Sequence, residues 1–236
     1  MPQTPGPQHR TRLPRLSADT WETVFGVAYL VVMTNVALVL GSLPLVVLLV
    51  TTDPVSSWPV LAVAAVAATP AVTAAFAVFR QYTLTRGVEV VRTFCRAWVR
   101  HLRRSLAVGT LLCTTAVVLG VDVVAISGTR LGAVATPLLV VLCVLATLTA
   151  LLTLVASVER PDARLRDVLK ASLYLGVRRW YLTLVSLVVL GLLATLFALH
   201  PAVALGLAST PLLYAAWANS RYTLSPVLPR GATVAV

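Results

Sequence analysis

Six runs of apolar residues dominate this chain: Val24–Val50, Trp58–Phe79, Ser105–Ile126, Leu131–Val158, Tyr181–Leu199 and Ala202–Ala218. A helix of about 20 apolar residues crosses a bilayer core, and only helices or closed barrels satisfy every backbone group there. The six runs are of spanning length. They predict an all-α, polytopic membrane protein with six transmembrane helices in three hairpins. Composition agrees, since 58% of the 236 residues are hydrophobic and 11% are charged. A soluble domain carries roughly 25% charged residues. The mean hydropathy is +0.91.

The breaks between runs alternate in length. Short ones fall at 51–57, around Asp122 to Arg130, and at His200-Pro201; long ones fall at 80–104 and 159–180. Eighteen of the nineteen Lys and Arg residues lie in the two long breaks and the two tails, and only Arg130 lies elsewhere. Lys and Arg concentrate in cytoplasmic loops, so both termini are expected in the cytoplasm of a bacterial plasma membrane. The same rule accounts for the net charge of +11 without nucleic acid. A five-helix alternative makes the Leu199 region a re-entrant kink and puts the C-terminal tail outside. Residues 1–20, rich in Pro and Arg, read as a disordered tail, residues 21–225 as the membrane domain, and 226–236 as a second tail. The first apolar run is too long for a cleaved signal.

Both long breaks read as amphipathic cytosolic helices. From Val88 to Leu106, Val91, Phe94, Cys95, Trp98 and Leu102 share one arc, and Arg92, Arg96, Arg100, Arg103 and Arg104 the other. In 159–180, Leu165, Leu169, Leu173, Val177 and Trp180 form a similar stripe. Such helices lie along the inner surface among anionic headgroups or dock a cytosolic partner; Arg92, Arg96, Arg100 and Trp98 are the candidate face.

One phrase occurs twice. TPAVTAAFAVFRQYTL at 69–84 returns as TPLLYAAWANSRYTL at 210–224. Aligned at Thr69 and Thr210, the copies share Thr, Pro, three Ala and Arg. Pro70 and Pro211 lack an N–H and crowd the carbonyls of Val66 and Leu207, which predicts a kink in each helix. The neighbouring threonine hydroxyls suit the freed carbonyls, and the Ala residues allow close helix packing. Arg80 with Tyr82, and Arg221 with Tyr222, are expected to hold the helix ends at the headgroups. Thr136-Pro137 reads as a first-turn proline.

Little in the chain suggests chemistry. Asp53, Asp122 and Arg130 sit at span ends, where the last two are expected to pair, and the remaining acids read as cytosolic. Proton-coupled carriers keep a buried acid or base in the membrane. Asn35 is the most buried polar candidate and reads as an interhelical hydrogen-bonding group. No HExxH, GxSxG or phosphate-loop motif is present. Cys95, Cys113 and Cys143 have no metal or disulfide spacing and read as packing residues. No catalytic, cofactor or metal site is expected.

Asn35, GSLPLV at 41–46 and TPAVTAAFAVFRQYTLTRG at 69–87 resemble the start of the YesL-like family of bacterial membrane proteins. RPDARLRDVLKASLYLGVRRWYLTL at 160–184 is similar to that family's second cytosolic connection, leading into its fifth helix. The family has no established molecular activity, and its genes often neighbour carbohydrate-uptake and polysaccharide-degradation systems. The resemblance implies an accessory membrane protein that supports an ABC-type sugar-uptake assembly. A stand-alone transporter or channel is the alternative, and a structural or envelope-stress protein a third. Oligomeric state is not legible.

Overall fold

The computed structural model describes residues 16–53, 56–85, 89–200 and 203–226. Among the described residues the chain is helical, with no strand. Helix α1, Leu16–Gly41, already begins inside the stretch expected to be tail. The rest of that tail, with Arg10, Arg12 and Arg15, lies outside the described residues, as do Arg86 and Arg230.

The first apolar run is not one helix. Helix α1 ends at Gly41 and α2 spans Leu43–Thr51. Ser42 between them leaves helical geometry at φ −112°, ψ 22°. Pro44, in the first turn of α2, has no N–H with which to continue the α1 ladder. The Ser42 hydroxyl donates to the Leu38 carbonyl at 2.6 Å and closes α1. The end of α1 is wedged into the bundle: a methyl group on Gly41 would meet the Ala71 Cβ at 2.9 Å. From there α2 packs along α3, Trp58–Thr85.

Helix α4 runs unbroken over Val90–Ile126, 37 residues. The basic segment at 88–104 was expected to lie flat and the span to begin anew at Ser105. Instead the two are one rod of about 55 Å at 1.5 Å per residue, well beyond the ~30 Å of a bilayer core. No Gly or Pro occurs between Gly87 and Gly109 to break it. Standing beside α3, α4 buries Val90, Phe94, Ala97, His101, Ser105 and Val108. Val91 and Cys95, of the expected apolar arc, are exposed.

Thr129 caps helix α5, Arg130–Glu159, by accepting from the Gly132 N–H at 3.0 Å. The turn before it uses Gly128 at φ +84°, open to glycine at little cost. Pro137 lies in the second turn of α5, not its first. Asp122 and Arg130 form no ion pair; the three pairs among the described residues involve neither. Helix α6, Leu165–Arg178, is a separate helix as expected, yet it faces the bundle with Val168, Ser172, Leu175 and Gly176. Its predicted stripe points outward at Leu173, Val177 and Trp180. Helix α7, Trp180–Leu199, follows after one non-helical residue, Arg179.

The last segment is a π-helical turn, Ala204–Ala208, leading into α8, Ser209–Leu224. Among the described residues, five helices are long and apolar enough to cross a membrane: Thr23–Gly41 within α1, then α3, α4, Gly132–Glu159 within α5, and α7. The expected sixth span is interrupted by the π turn, which leaves α8 with sixteen residues.

Tight packing concentrates where α3, α5 and α8 meet. Phe76, Val78 and Phe79 of α3, Val155 of α5 and Trp217 of α8 are fully or almost fully buried. Phe79 stands edge-on to Tyr214 at 5.4 Å between ring centroids and lies 6.1 Å from Trp217. Elsewhere Val121, Val124, Val134, Leu138 and Val188 are exposed. An apolar surface of that extent needs a non-aqueous neighbour. This is the build of a membrane protein.

Candidate functional site

The repeated phrase explains the centre of the basic end. Arg80 and Arg221, at aligned positions of the two copies, converge on one carboxylate, Glu159, the last residue of α5. Arg80 Nε lies 3.3 Å from one Glu159 oxygen and Arg221 Nε 3.1 Å from the other. The Glu159 side chain is 1% exposed. Arg221 also stacks over the Trp217 ring at 4.9 Å, a face that attracts cations. These arginines were expected to reach for headgroups; they turn inward because a buried carboxylate needs charge neutralisation more than lipid does. Tyr222 points outward, with Arg179 over its ring at 5.9 Å.

Asn35 occupies a second polar node. Its Nδ2 donates to the Gly206 carbonyl at 2.8 Å. Its Oδ1 accepts from the Thr210 N–H at 3.0 Å and the Thr210 hydroxyl at 2.7 Å. In a regular α-helix the Thr210 N–H would bond the Gly206 carbonyl four residues back. The π turn parts them, and the Asn35 amide fills the gap with one donor and one acceptor. Thr210 therefore serves α1 rather than its own turn. Pro211 follows at once and is exposed.

The first copy behaves differently. Pro70 is buried in α3, and the Val66 carbonyl it cannot serve receives the Thr69 hydroxyl at 2.7 Å. Thr69 Oγ1 also lies 3.0 Å from the Ser105 carbonyl of α4, and the Ser105 hydroxyl donates to Thr73 Oγ1 at 2.8 Å. Gly109 makes room, since a Cβ there would come within 2.6 Å of Thr69 Oγ1.

The candidate face on α4 is divided. Arg92, Arg96 and Arg100 are exposed and turn toward α3. Trp98 is half-buried on another side, beside Met33 and Val36 of α1. Of the cysteines, expected to pack inside, Cys95 is exposed and Cys113 and Cys143 are half-buried.

Sequence reasoning missed Glu159, which read as one more cytosolic acid, and Asn219. The Asn219 amide donates to the Leu182 carbonyl at 2.6 Å and to Ser186 Oγ at 2.7 Å, tying α8 to α7. It lies one residue past the expected end of its span. A legible signal did exist for Glu159: it is an acid directly after an apolar run, on a side crowded with arginines.

Residues 31–123 match DUF624, a family described as proteins of unknown function. The matched stretch runs from within α1 through most of α4, and so takes in Asn35, Pro70, Arg80 and the arginine row of α4. No curated protein and no solved structure matches the chain.

Proposed function

We propose that this chain is a YesL-like accessory protein of a bacterial plasma membrane, crossing it six times with both termini in the cytoplasm. Its role is to support an ABC-type carbohydrate-uptake assembly, without chemistry of its own. The π turn and α8 together supply the sixth crossing, with Asn35 making good the hydrogen bond lost at the turn. The observation that carries the accessory role is the length of α4, which exceeds a bilayer core and exposes Val91 and Val99 near its start. A helix face with exposed valines beside arginines suits attachment to another protein. The exposed Leu173 and Val177 of α6, with Trp180 at the start of α7, suit the inner leaflet with its anionic headgroups.

A photo-crosslinking residue at Val99 tests this in native membranes. The expected adduct is a permease or nucleotide-binding subunit of an uptake system. No protein adduct at Val99, together with solute flux from the purified protein alone in liposomes, overturns the reading. For the topology, a reporter after Val236 is expected to be active inside and one at Asp53 outside.

A transporter in its own right is the second reading, favoured by a cavity of about 800 Å³ between α3 and α4. Its walls are apolar, from Trp58, Ala62, Val66, Leu112 and Val121, with Thr69 and Cys113 as the polar exceptions. A sugar path needs hydrogen-bonding groups along its length. This lining suits an acyl chain or another apolar guest, which ranks the transporter below the accessory.

A further inference from the structure

We propose that the cleft between α3 and α4 at the basic end binds an anion bearing a phosphate group. Arg92, Arg96 and Arg100 of α4 line one wall, each one turn above the last, and Arg80 and Gln81 of α3 line the other. The cleft holds about 470 Å³, within the roughly 300–1,000 Å³ of small-molecule sites. Unlike the apolar cavity higher between the same helices, its lining is mainly polar and cationic.

The charges within it do not cancel. Arg92 pairs with Glu89 at 3.2 Å, and Arg80 with Glu159 at 3.3 Å. Arg96 and Arg100 have no carboxylate partner among the described residues. Four residues apart, they sit about 6 Å from each other along the helix. Like charges at that spacing weaken a helix. Sorting a loop to the cytoplasm requires arginines somewhere in the loop; it does not require them to face arginine and glutamine on a second helix across a cleft. A phosphate oxyanion between them offsets the repulsion, and guanidinium groups present the paired N–H donors that phosphate oxygens accept. The Thr93 hydroxyl and the Gln81 amide, also in the lining, supply neutral donors. The site goes beyond the accessory role and does not depend on it.

The phosphate could belong to a soluble phosphomonoester or to a lipid headgroup, and two arms separate them. In the first, the full chain in phosphatidylcholine nanodiscs is titrated with sn-glycerol 3-phosphate by calorimetry. In the second, phosphatidylglycerol is added to the protein in neutral detergent and bound lipid is counted by native mass spectrometry. Saturable binding is expected in at least one arm. The R96Q/R100Q pair is expected to weaken it at least tenfold. The pair R103Q/R164Q, which removes as much charge from exposed positions outside the cleft, is expected to change it less than twofold. Should R96Q/R100Q fold poorly by circular dichroism, Arg96→Lys with Arg100→Lys keeps the charge, and a loss of about threefold is expected. No saturable binding in either arm, or equal losses in the cleft and control pairs, overturns the proposal.

Discussion

Arg221 meets Glu159 at 3.1 Å across the interface of α5 and α8, with the carboxylate closed off from solvent. Arg80 approaches the same carboxylate from α3 and is more exposed, at 40% against 14% for Arg221. Three helices are thereby fastened at one point. Removing one member of a buried ion pair strands the other, at about 3–5 kcal/mol. Glu159→Gln is expected to lower unfolding stability in detergent by about 3 kcal/mol. Arg221→Gln should cost more than Arg80→Gln, because solvent screens the exposed partner. Additive losses in a Glu159–Arg221 double-mutant cycle would show that the pair is not coupled.

Asn35→Ala leaves the Gly206 carbonyl and the Thr210 N–H without their partner. The expected loss is about 1–2 kcal/mol, the upper range for a hydrogen bond inside a membrane bundle. Deleting Leu205 removes the extra residue that makes the π turn and lets a regular ladder form. In that background Asn35→Ala should cost clearly less. Equal losses in both backgrounds contradict the bridging role.

Gly109 and Gly120 lie on the same helix in opposite circumstances. A Cβ on Gly109 collides with Thr69, whereas nothing lies within 4 Å of one on Gly120. Gly109→Ala should destabilise by about 1–3 kcal/mol through overpacking, and Thr69→Ala should rescue part of that loss. Gly120→Ala should be neutral or mildly stabilising, since Ala favours helix. Thermal denaturation in detergent distinguishes the two.

The three prolines should rank by burial. Pro70 is buried, while Pro137 and Pro211 are exposed. Pro70→Ala restores an N–H aimed at the Val66 carbonyl and displaces the Thr69 hydroxyl, which also reaches Ser105. Its effect on melting temperature should exceed those of Pro137→Ala and Pro211→Ala. Three equal shifts would assign no special role to the α3 turn.

The sequence by itself determined that this chain is helical and belongs in a membrane, because unbroken apolar runs leave the backbone few other ways to satisfy its hydrogen bonds. It also determined that one end of the bundle would be basic, and it flagged Asn35, since a polar side chain in an apolar run stands out. The tertiary structure decided the partners. The repeat placed an arginine twice at the same depth, but only packing of α3, α5 and α8 shows both arginines spent on Glu159. Periodicity offered α4 one apolar arc near its start, and packing rotated the buried face away from it, burying Phe94 and Ala97 and leaving Val91 and Cys95 outside. Spans written as continuous were cut at Ser42 and at Ala204–Ala208. Hydropathy measures how well residues suit lipid, whereas a break depends on what supplies the missing hydrogen bonds, the Ser42 hydroxyl at one and Asn35 of α1 at the other.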